Sequence, residues 1–557
     1  MDADLLIVGG GPVGMLGGIL ASRHGLSAIV IERRDGPQTA PAAHVVNARS
    51  YEIFRQAGLD MDRLHAAGID QEQGGHVNFV TRLAGDLIGR LPFERQGDDC
   101  LDVTPTPLRN LSQHRLEPIL ADELRASPGV ELRYGLRWER SEERDDHVVS
   151  EIVDEATGAS QTIRTRYVIG CDGARSRVRR SLGIEMVGPP LLQYFLMIHF
   201  RADLRELTAS RPAVLHFVVD PEVSGAFVAH DAGSDWVFMH GLDPDEESLD
   251  DYPDERCRAV IDAAAGTEID AEVIGTGTWR MSAQVADGMG RGRIHLAGDA
   301  AHRFPPTGGL GLNSGIQDIH ALLWRLGAVI DGRGGERLLD SYAIERLPVA
   351  HENANQSVTN ALRMVAIPAA LGIDADPTSA RLHASLADPA RADAIAAAVE
   401  EQREHFDLLG LQLGFAYVDG AIVPDGSDAE PSTPSDYVPS AAPGARLPHA
   451  WLDGIGARST LDLVPVDRPV MITFGAHEAW RQEAGPDLAM VRVGTDTAPL
   501  DDWRELCGVE PTGAVLVRPD QHVAWRASTL EGASTLGDAL AVIAGRAPAT
   551  VRAEVTR

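Results

Sequence analysis

Gly9, Gly11 and Gly14 stand in the order G-x-G-x-x-G, with Glu32 and Arg33 about 20 residues further on. This is the pattern of a loop that holds a dinucleotide. The first glycine permits a tight turn, the second lets backbone approach a pyrophosphate, and the third lets a helix pack on a strand. A helix N-terminus then faces the anion. The flanking residues supply the frame. Residues 4–8 read as a short buried strand, 15–23 as a helix closing at Gly25, and 28–31 as a second strand that delivers Glu32 to an adenosine ribose. A glycine-rich turn that only packs a helix on a sheet would give Glu32 no task. The run "LLIVGGGPVGM" is also apolar and near the first residue, but Asp2 and Asp4 precede it and no Lys or Arg does, so it lacks the positive segment of a secretory leader.

Three further stretches carry chemistry: "YVIGCDGARSRVR" (167–179), "LSQHRLEPIL" (111–120) and "RIHLAGDAAHRFPPTGGLGLNSGIQDIHALLWRL" (293–326). In the last, an apolar strand ends at Gly298 and Asp299. A loop of Pro305, Pro306, Thr307, Gly308 and Gly309 then feeds a helix beginning near Gly311, Leu312 and Asn313. A flavin needs from such a segment a carboxylate for its ribityl hydroxyls. It also needs a helix N-terminus aimed at the ring's pyrimidine edge, where negative charge collects on reduction.

Together these motifs resemble those of the single-component FAD-dependent aromatic hydroxylases, the group of para-hydroxybenzoate hydroxylase, phenol hydroxylase and the aromatic polyketide hydroxylases. Gly9, Gly11, Gly14, Glu32 and Arg33 match the family's adenosine-diphosphate fingerprint. Asp172, Gly173 and Arg175, followed by Ser176, match its Asp-Gly motif, used for both FAD and NAD(P)H. Asp299 and the run Pro305 to Asn313, with Pro306, Gly309, Gly311 and Leu312, match its second FAD motif. The resemblance places Arg49 and Gln113 on the far side of the flavin. It extends to "YVPSAAPGARLPHAWL" and "GAVLVRPDQHVAWR", which are similar to a thioredoxin-like C-terminal domain. Two positions depart from the family: Ala42 stands where many members carry an arginine, and Ala321 where an asparagine is common.

The resemblance implies that NADPH or NADH reduces FAD, O2 adds to give a flavin C4a-hydroperoxide, and one oxygen passes to a ring carbon ortho or para to a hydroxyl. The protein must hold the ring, exclude water and help the phenol lose its proton. That last task calls for a near-neutral pKa beside the ring. His44 is the candidate, with a role in binding flavin or backbone as its rival. Pro305 and Pro306 would shape the site without acid–base work. A halogenase of similar fold would need a lysine and a Trp-x-Trp-x-Ile stretch, both missing. A Baeyer–Villiger or antibiotic-inactivating oxygenation stays open, as does a non-catalytic flavin-bound aromatic sensor.

The 557 residues carry a formal charge of -32, from 50 basic and 82 acidic side chains. That field repels nucleic acid and anionic membrane surfaces. All the basic residues are arginine, so Schiff-base chemistry and a phosphate-loop lysine are excluded. Cys100, Cys171, Cys257 and Cys507 have no paired spacing, which points away from disulfides and zinc and toward a cytoplasmic protein. Other metal-ligand spacings are likewise missing. The richest apolar run, 361–373, is shorter than the roughly 18 residues a span needs and contains Arg363 and Pro368.

The expected fold is α/β: a Rossmann-like FAD domain with a β-sheet substrate domain and a thioredoxin-like C-terminal domain. Residues 1–75, 100–186 and 283–365 form the discontinuous FAD domain. Residues 76–99 and 187–282 form the substrate-binding β-sheet domain, with 187–282 read as an antiparallel sheet over the flavin and His199, His216, His230 and His240 one per strand. A helical connector (366–410), an acidic, proline-rich linker (411–445) and the C-terminal domain (446–557), which lacks a C-x-x-C pair, complete the chain. A small aromatic substrate and O2 are the expected partners, and the protein is expected to be a monomer or homodimer.

Overall fold

A computed structural model describes residues 1–427, 429 and 431–547. Its organising element is an eight-stranded sheet in which Ile294–Leu296, Ser160–Gly170, Ala3–Val8, Ala28–Ile31 and Val130–Arg133 lie side by side and parallel. The central strands Ala3–Val8 and Ala28–Ile31 are near-continuous apolar runs because helices cover the parallel layer on its faces. Leu5, Leu6 and Ile7 are fully buried beneath the helix Pro12–Arg23, which contributes Met15, Leu16, Ile19 and Leu20. The hairpin Leu136–Glu143 and Val148–Asp154 extends the sheet antiparallel to Ser160–Gly170.

Parallel pairing sets the register that matters for the site. Val8 lies opposite both Ile31 and Gly170, and Gly170 lies opposite Leu296. The strands therefore end together, and the sequence motifs begin where they end. In open α/β sheets this carboxyl edge is where ligands bind.

A second, seven-stranded sheet runs in the order Glu272–Met281, Gln193–Arg201, Asp235–Leu242, Gly225–Asp231, Leu215–Val218, His76–Val80, Leu87–Pro92. The strands between 187 and 282 pair antiparallel with one another, as expected, and Leu215–Val218 also pairs parallel with His76–Val80. Those two strands arrive from distant parts of the chain, so no hairpin imposes an antiparallel pairing. One face packs on the helix Asp254–Ala265 through Phe227, Trp236 and Ile261. The helices of the connector, Ala366–Leu371, Ser379–Leu386 and Ala392–Glu400, cover Val77, Phe79 and Leu91 at the other end.

Residues 411–445, expected as a linker, are a packed strap over their described part. Phe415, Tyr417, Ala421 and Ile422 are buried, and the amide of Val423 donates to the Ala524 carbonyl. The C-terminal unit has a four-stranded sheet. Val470–Thr473 and Ala489–Arg492 are parallel across the helix His477–Ala484, and the antiparallel pair Ala514–Val517 and Val523–Ala527 is followed by the helix Leu536–Ile543. Residues 548–557 lie outside the description. Among the described residues no helix is long and apolar enough to cross a membrane, and the four cysteines are free.

Candidate flavin and substrate site

The adenosine end is built by the first turn. Gly9 adopts φ +111, and a Cβ there would strike the Cys171 carbonyl. A Cβ on Gly14 would overlap the Gly9 carbonyl, so this glycine is demanded by helix–strand packing. Gly11 is different: a Cβ would meet nothing within 4 Å. No protein neighbour requires a glycine here, and the vacant volume lies at a helix N-terminus, where an anion fits.

Glu32 follows the second strand as predicted and is 7 % exposed. One oxygen accepts from the Gly10 amide (2.9 Å) and the other from the Arg34 amide and Nε (2.9 and 3.0 Å). Burial pushes its pKa up, but Arg34 and the Gly10 amide outweigh it and hold the carboxyl below its ordinary value. The side chain that grips Glu32 is thus Arg34, whereas Arg33 is exposed at the turn. Gln113 sits at the start of the helix Gln113–Ala126. Its Nε2 donates to the buried Glu117 (2.8 Å) and its amide to the Ala43 carbonyl (2.7 Å), bringing residues 41–44 over the same cleft.

Asp172 leaves the end of Ser160–Gly170 and accepts from Ser176 Oγ (2.5 Å) and from the Arg177 (2.6 Å) and Val178 (3.2 Å) amides. It shapes its own turn, in which Gly173 takes φ +75, and Arg175 is exposed. Arg303 bonds the Ala174 carbonyl, so the Asp-Gly motif and the second FAD motif are tied together.

Asp299 is exposed on the floor of the cleft and has no hydrogen-bond partner among the described residues. The surrounding protein still raises its carboxyl above the ordinary value by desolvation, with His302 and Arg303 opposing. A free carboxylate in this position suits ribityl hydroxyls. Gly309, at φ +64, abuts Val45 and starts the helix Leu310–Ile330. A Cβ on Gly311 would again meet nothing within 4 Å, another vacancy facing the cleft. Pro305 is buried, and the Pro306 carbonyl accepts from the Gly309 amide (3.0 Å), closing the turn. Leu312 is half-buried against the flavin-domain core.

Two of the residues expected at the flavin have side chains turned to protein partners. The Asn313 side chain is fully used inside the protein: Oδ1 accepts from the Asn47 amide (2.9 Å) and Ser50 Oγ (2.7 Å), and Nδ2 donates to the Val45 (3.0 Å) and Gly309 (2.6 Å) carbonyls. It fixes the 45–50 segment to the helix. Arg49 is 1 % exposed and points away into the C-terminal unit, bonding Glu52 (2.9 Å), Gln521 Oε1 (2.6 Å) and the Asp520 carbonyl (2.7 Å). It is a domain contact.

Asp318, which the sequence reading missed, stands in the middle of the flavin helix. It accepts from the Gly298 amide (3.1 Å), His302 Nε2 (2.7 Å) and Arg346 Nε (2.9 Å), locking the Asp299 loop in place.

Across the cleft stands the seven-stranded sheet. His199 and His230 face the flavin domain, while His216 packs against Trp236 on the far side and His240 bonds the Ser224 carbonyl. The His44 ring lies edge-on to His230 (5.9 Å between centroids) and stacks on Phe93 (6.3 Å). Burial pushes the His44 pKa down to about 4, with Asn110 opposing. The expected near-neutral base is therefore a neutral imidazole at pH 7. A separate cleft of about 550 Å³, lined by Tyr167, Arg293, His295, Glu336 and Tyr342, contains none of the predicted cofactor-binding or catalytic residues.

Known proteins with this arrangement share its full length. Residues 2–357 match the family model described as an FAD binding domain, and residues 440–547 match that described as the C-terminal part of aromatic-ring hydroxylases. The chain is 32% identical to a putative polyketide hydroxylase of Streptomyces halstedii, covering 94% of this chain and 93% of that one. It is 31% identical to the 2,4-dichlorophenol 6-monooxygenase of Cupriavidus pinatubonensis, covering 98% and 97%. Among solved structures, the flavin-dependent monooxygenase PieE, in complex with FAD and substrate, superposes with a TM-score of 0.92 at 33% identity, covering 98% of this chain and 100% of that one. Aklavinone-11 hydroxylase, with FAD and aklavinone, gives 0.78 at 29% identity, covering 98% and 99%. With four strand ends presenting the flavin motifs to one cleft and both family models matched in order, the chain belongs to the FAD-dependent aromatic-ring hydroxylases and is an FAD-dependent aromatic monooxygenase.

Proposed function

We propose that this chain hydroxylates a phenolic or polycyclic aromatic compound, taking electrons from NADPH or NADH and oxygen from O2. One observation carries the reading: the Gly9–Gly14 turn, Glu32, Asp172 and Asp299 follow strands that end together at one edge of the sheet, and the His44 ring of the same domain meets His230 of the seven-stranded sheet. Bound FAD supplies the reduction of O2 and the oxygen transfer; the chain's residues bind, orient and enclose.

Glu32 would accept ribose hydroxyls, and the vacancies beside Gly11 and Gly311 would receive parts of the cofactor. Asp299 would accept the ribityl hydroxyls. The N-terminus of Leu310–Ile330 would favour negative charge on the reduced ring through its dipole. The sheet closes the cleft from above and keeps water out. His44, neutral at pH 7, hydrogen-bonds the phenol hydroxyl and orients the ring; it does not store the proton.

Finer points rest on the same reading. A cytoplasmic location fits four free cysteines. The C-terminal unit has the βαβ crossover, hairpin and closing helix of a thioredoxin-like fold, and its one cysteine, Cys507, is buried. We read the protein as a monomer or homodimer, which light scattering resolves. The test of function is NADPH or NADH oxidation by the FAD-loaded protein with a panel of phenols and polycyclic phenols. Stimulated oxidation with a product heavier by one oxygen supports the reading. Unstimulated oxidation that yields only peroxide contradicts it.

A further inference from the structure

Among the described residues Nδ1 of His230, on a residue 2 % exposed, is a buried polar atom with no hydrogen-bond partner, while the neighbouring His44 side chain is met by Asn110. The three residues come from separate elements: the 41–44 loop, the strand Arg109–Asn110 and the strand Gly225–Asp231. Unpaired buried polar atoms are rare in folded proteins, and each one calls for a cause. A ligand oxygen is one. A phenol hydroxyl has one hydrogen to donate and two lone pairs, and the neutral imidazole of His230 can meet either. Burial and the neighbouring His44 keep the His230 pKa far below its ordinary value, which supports the neutral form.

His230 is also backed by an ordered group. Its ring meets that of His114 edge-on (5.7 Å), and His114 Nε2 lies 3.0 Å from Asp235 Oδ2. His199 Nε2 lies 2.8 Å from Asp235 Oδ1. A carboxylate only accepts, so both imidazoles carry hydrogen on Nε2, and His114 Nδ1 is free to accept from Ser112 Oγ (2.8 Å). His114 belongs to the flavin domain, and Asp235 and His199 to the sheet. One aspartate therefore fixes two rings across the domain boundary, with His230 against the His114 ring.

We propose that His230 is a second substrate-contacting residue, which with His44 and Asn110 encloses the neutral hydroxyl of a phenol, and that Asp235 is the positioning residue holding it there through His114 and His199. This rests on the hydroxylase reading above. It specifies the ligand as a phenol bearing its proton, distinguished from its methyl ether.

The experiment is a titration of the oxidised, FAD-loaded enzyme with 2,4-dichlorophenol, 1-naphthol and their methyl ethers, read from the flavin difference spectrum. Without nicotinamide no turnover occurs, so this outcome is separate from whether the phenol is oxygenated. Leucine at 230 removes the imidazole nitrogens, whereas asparagine keeps a polar atom near the place of Nδ1. We expect H230L to weaken phenol binding at least tenfold and H230N to restore most of it. Methyl-ether binding, FAD affinity and the unfolding midpoint should stay unchanged. D235N should weaken phenol binding severalfold in the same way. Equal phenol binding by H230L and wild type overturns the proposal. So does an equal loss for the ethers, which would mean that the pocket's shape matters and the hydrogen bond does not. Should wild type bind none of these probes, or H230L lose FAD, nitrogen-15 histidine spectra of wild type and D235N decide. Nε2-protonated His114 and His199 that change on D235N support the positioning role, and unchanged tautomers overturn it.

Discussion

Replacing Gly11 and Gly14 separately by alanine tests which glycine serves the fold and which serves the cofactor. At Gly11 the backbone, φ -78 and ψ -177, is open to alanine, and the new methyl meets nothing within 4 Å. The lost unfolded-state freedom stabilises by about 0.4–1 kcal/mol, and alanine's poorer helix capping costs a similar amount. The apoprotein's unfolding midpoint should therefore stay within about 2 °C of wild type. Bound FAD would meet that methyl directly. Overpacking of one methyl costs about 1–3 kcal/mol, so the FAD dissociation constant should rise by roughly 5- to 150-fold. At Gly14 the methyl overlaps the Gly9 carbonyl, so the apoprotein itself should lose about 1–3 kcal/mol. Apoprotein melting by circular dichroism and FAD titration by fluorescence quenching separate the two effects. Wild-type FAD affinity in G11A, or equal destabilisation of both apoproteins, would refute the reasoning.

Other expectations concern charge and packing. His24, His44 and His295 have pKa values pushed down to about 4 by burial, so the unfolded chain binds more protons between pH 4 and 6.5. Stability should fall as pH drops through that window, and the urea midpoint at pH 5 should lie below that at pH 7. Burial raises Glu94 to about 8 although Oε2 accepts from the Leu408 amide and Gln412. The wild type therefore loses stability as pH rises from 4.5 to 8, and E94Q should be more stable above pH 8, by an amount on the order of a few kcal/mol. Glu345 is the buried acceptor for Arg325 and Arg518, which join the flavin helix to the C-terminal hairpin. E345A should cost about 3–5 kcal/mol and let proteases cut the C-terminal unit away earlier.

What was legible in the sequence was local. Residues 28–31 and 235–242 read as strands because their apolar patterns are complete within a few residues, and the glycines mark turns that only they can make. What escaped was set by distant partners. Arg33 and Arg34 are neighbours of the same type, and only the path of the turn decides which meets Glu32. Arg49 has its partners in a hairpin more than 400 residues away in sequence. The segment 411–445 has the composition of a linker, yet Phe415, Tyr417 and Ile422 find a surface to cover. A signal for Asp318 did exist: it and Arg325 are the only Asp, Glu, Lys or Arg in the 21-residue flavin helix. Charges within an otherwise apolar helix are seldom buried without partners. Asp235 had no such mark, because its meaning comes from His114 on another domain.

The most direct test of the account is turnover under isotopically heavy dioxygen. The FAD-loaded enzyme, NADPH or NADH and the most stimulatory phenol are mixed, and both product and peroxide are measured. The account predicts a hydroxylated phenol carrying one heavy oxygen atom, formed nearly one for one with nicotinamide oxidised. Product oxygen drawn from water, or peroxide as the sole product across the whole panel, would contradict it.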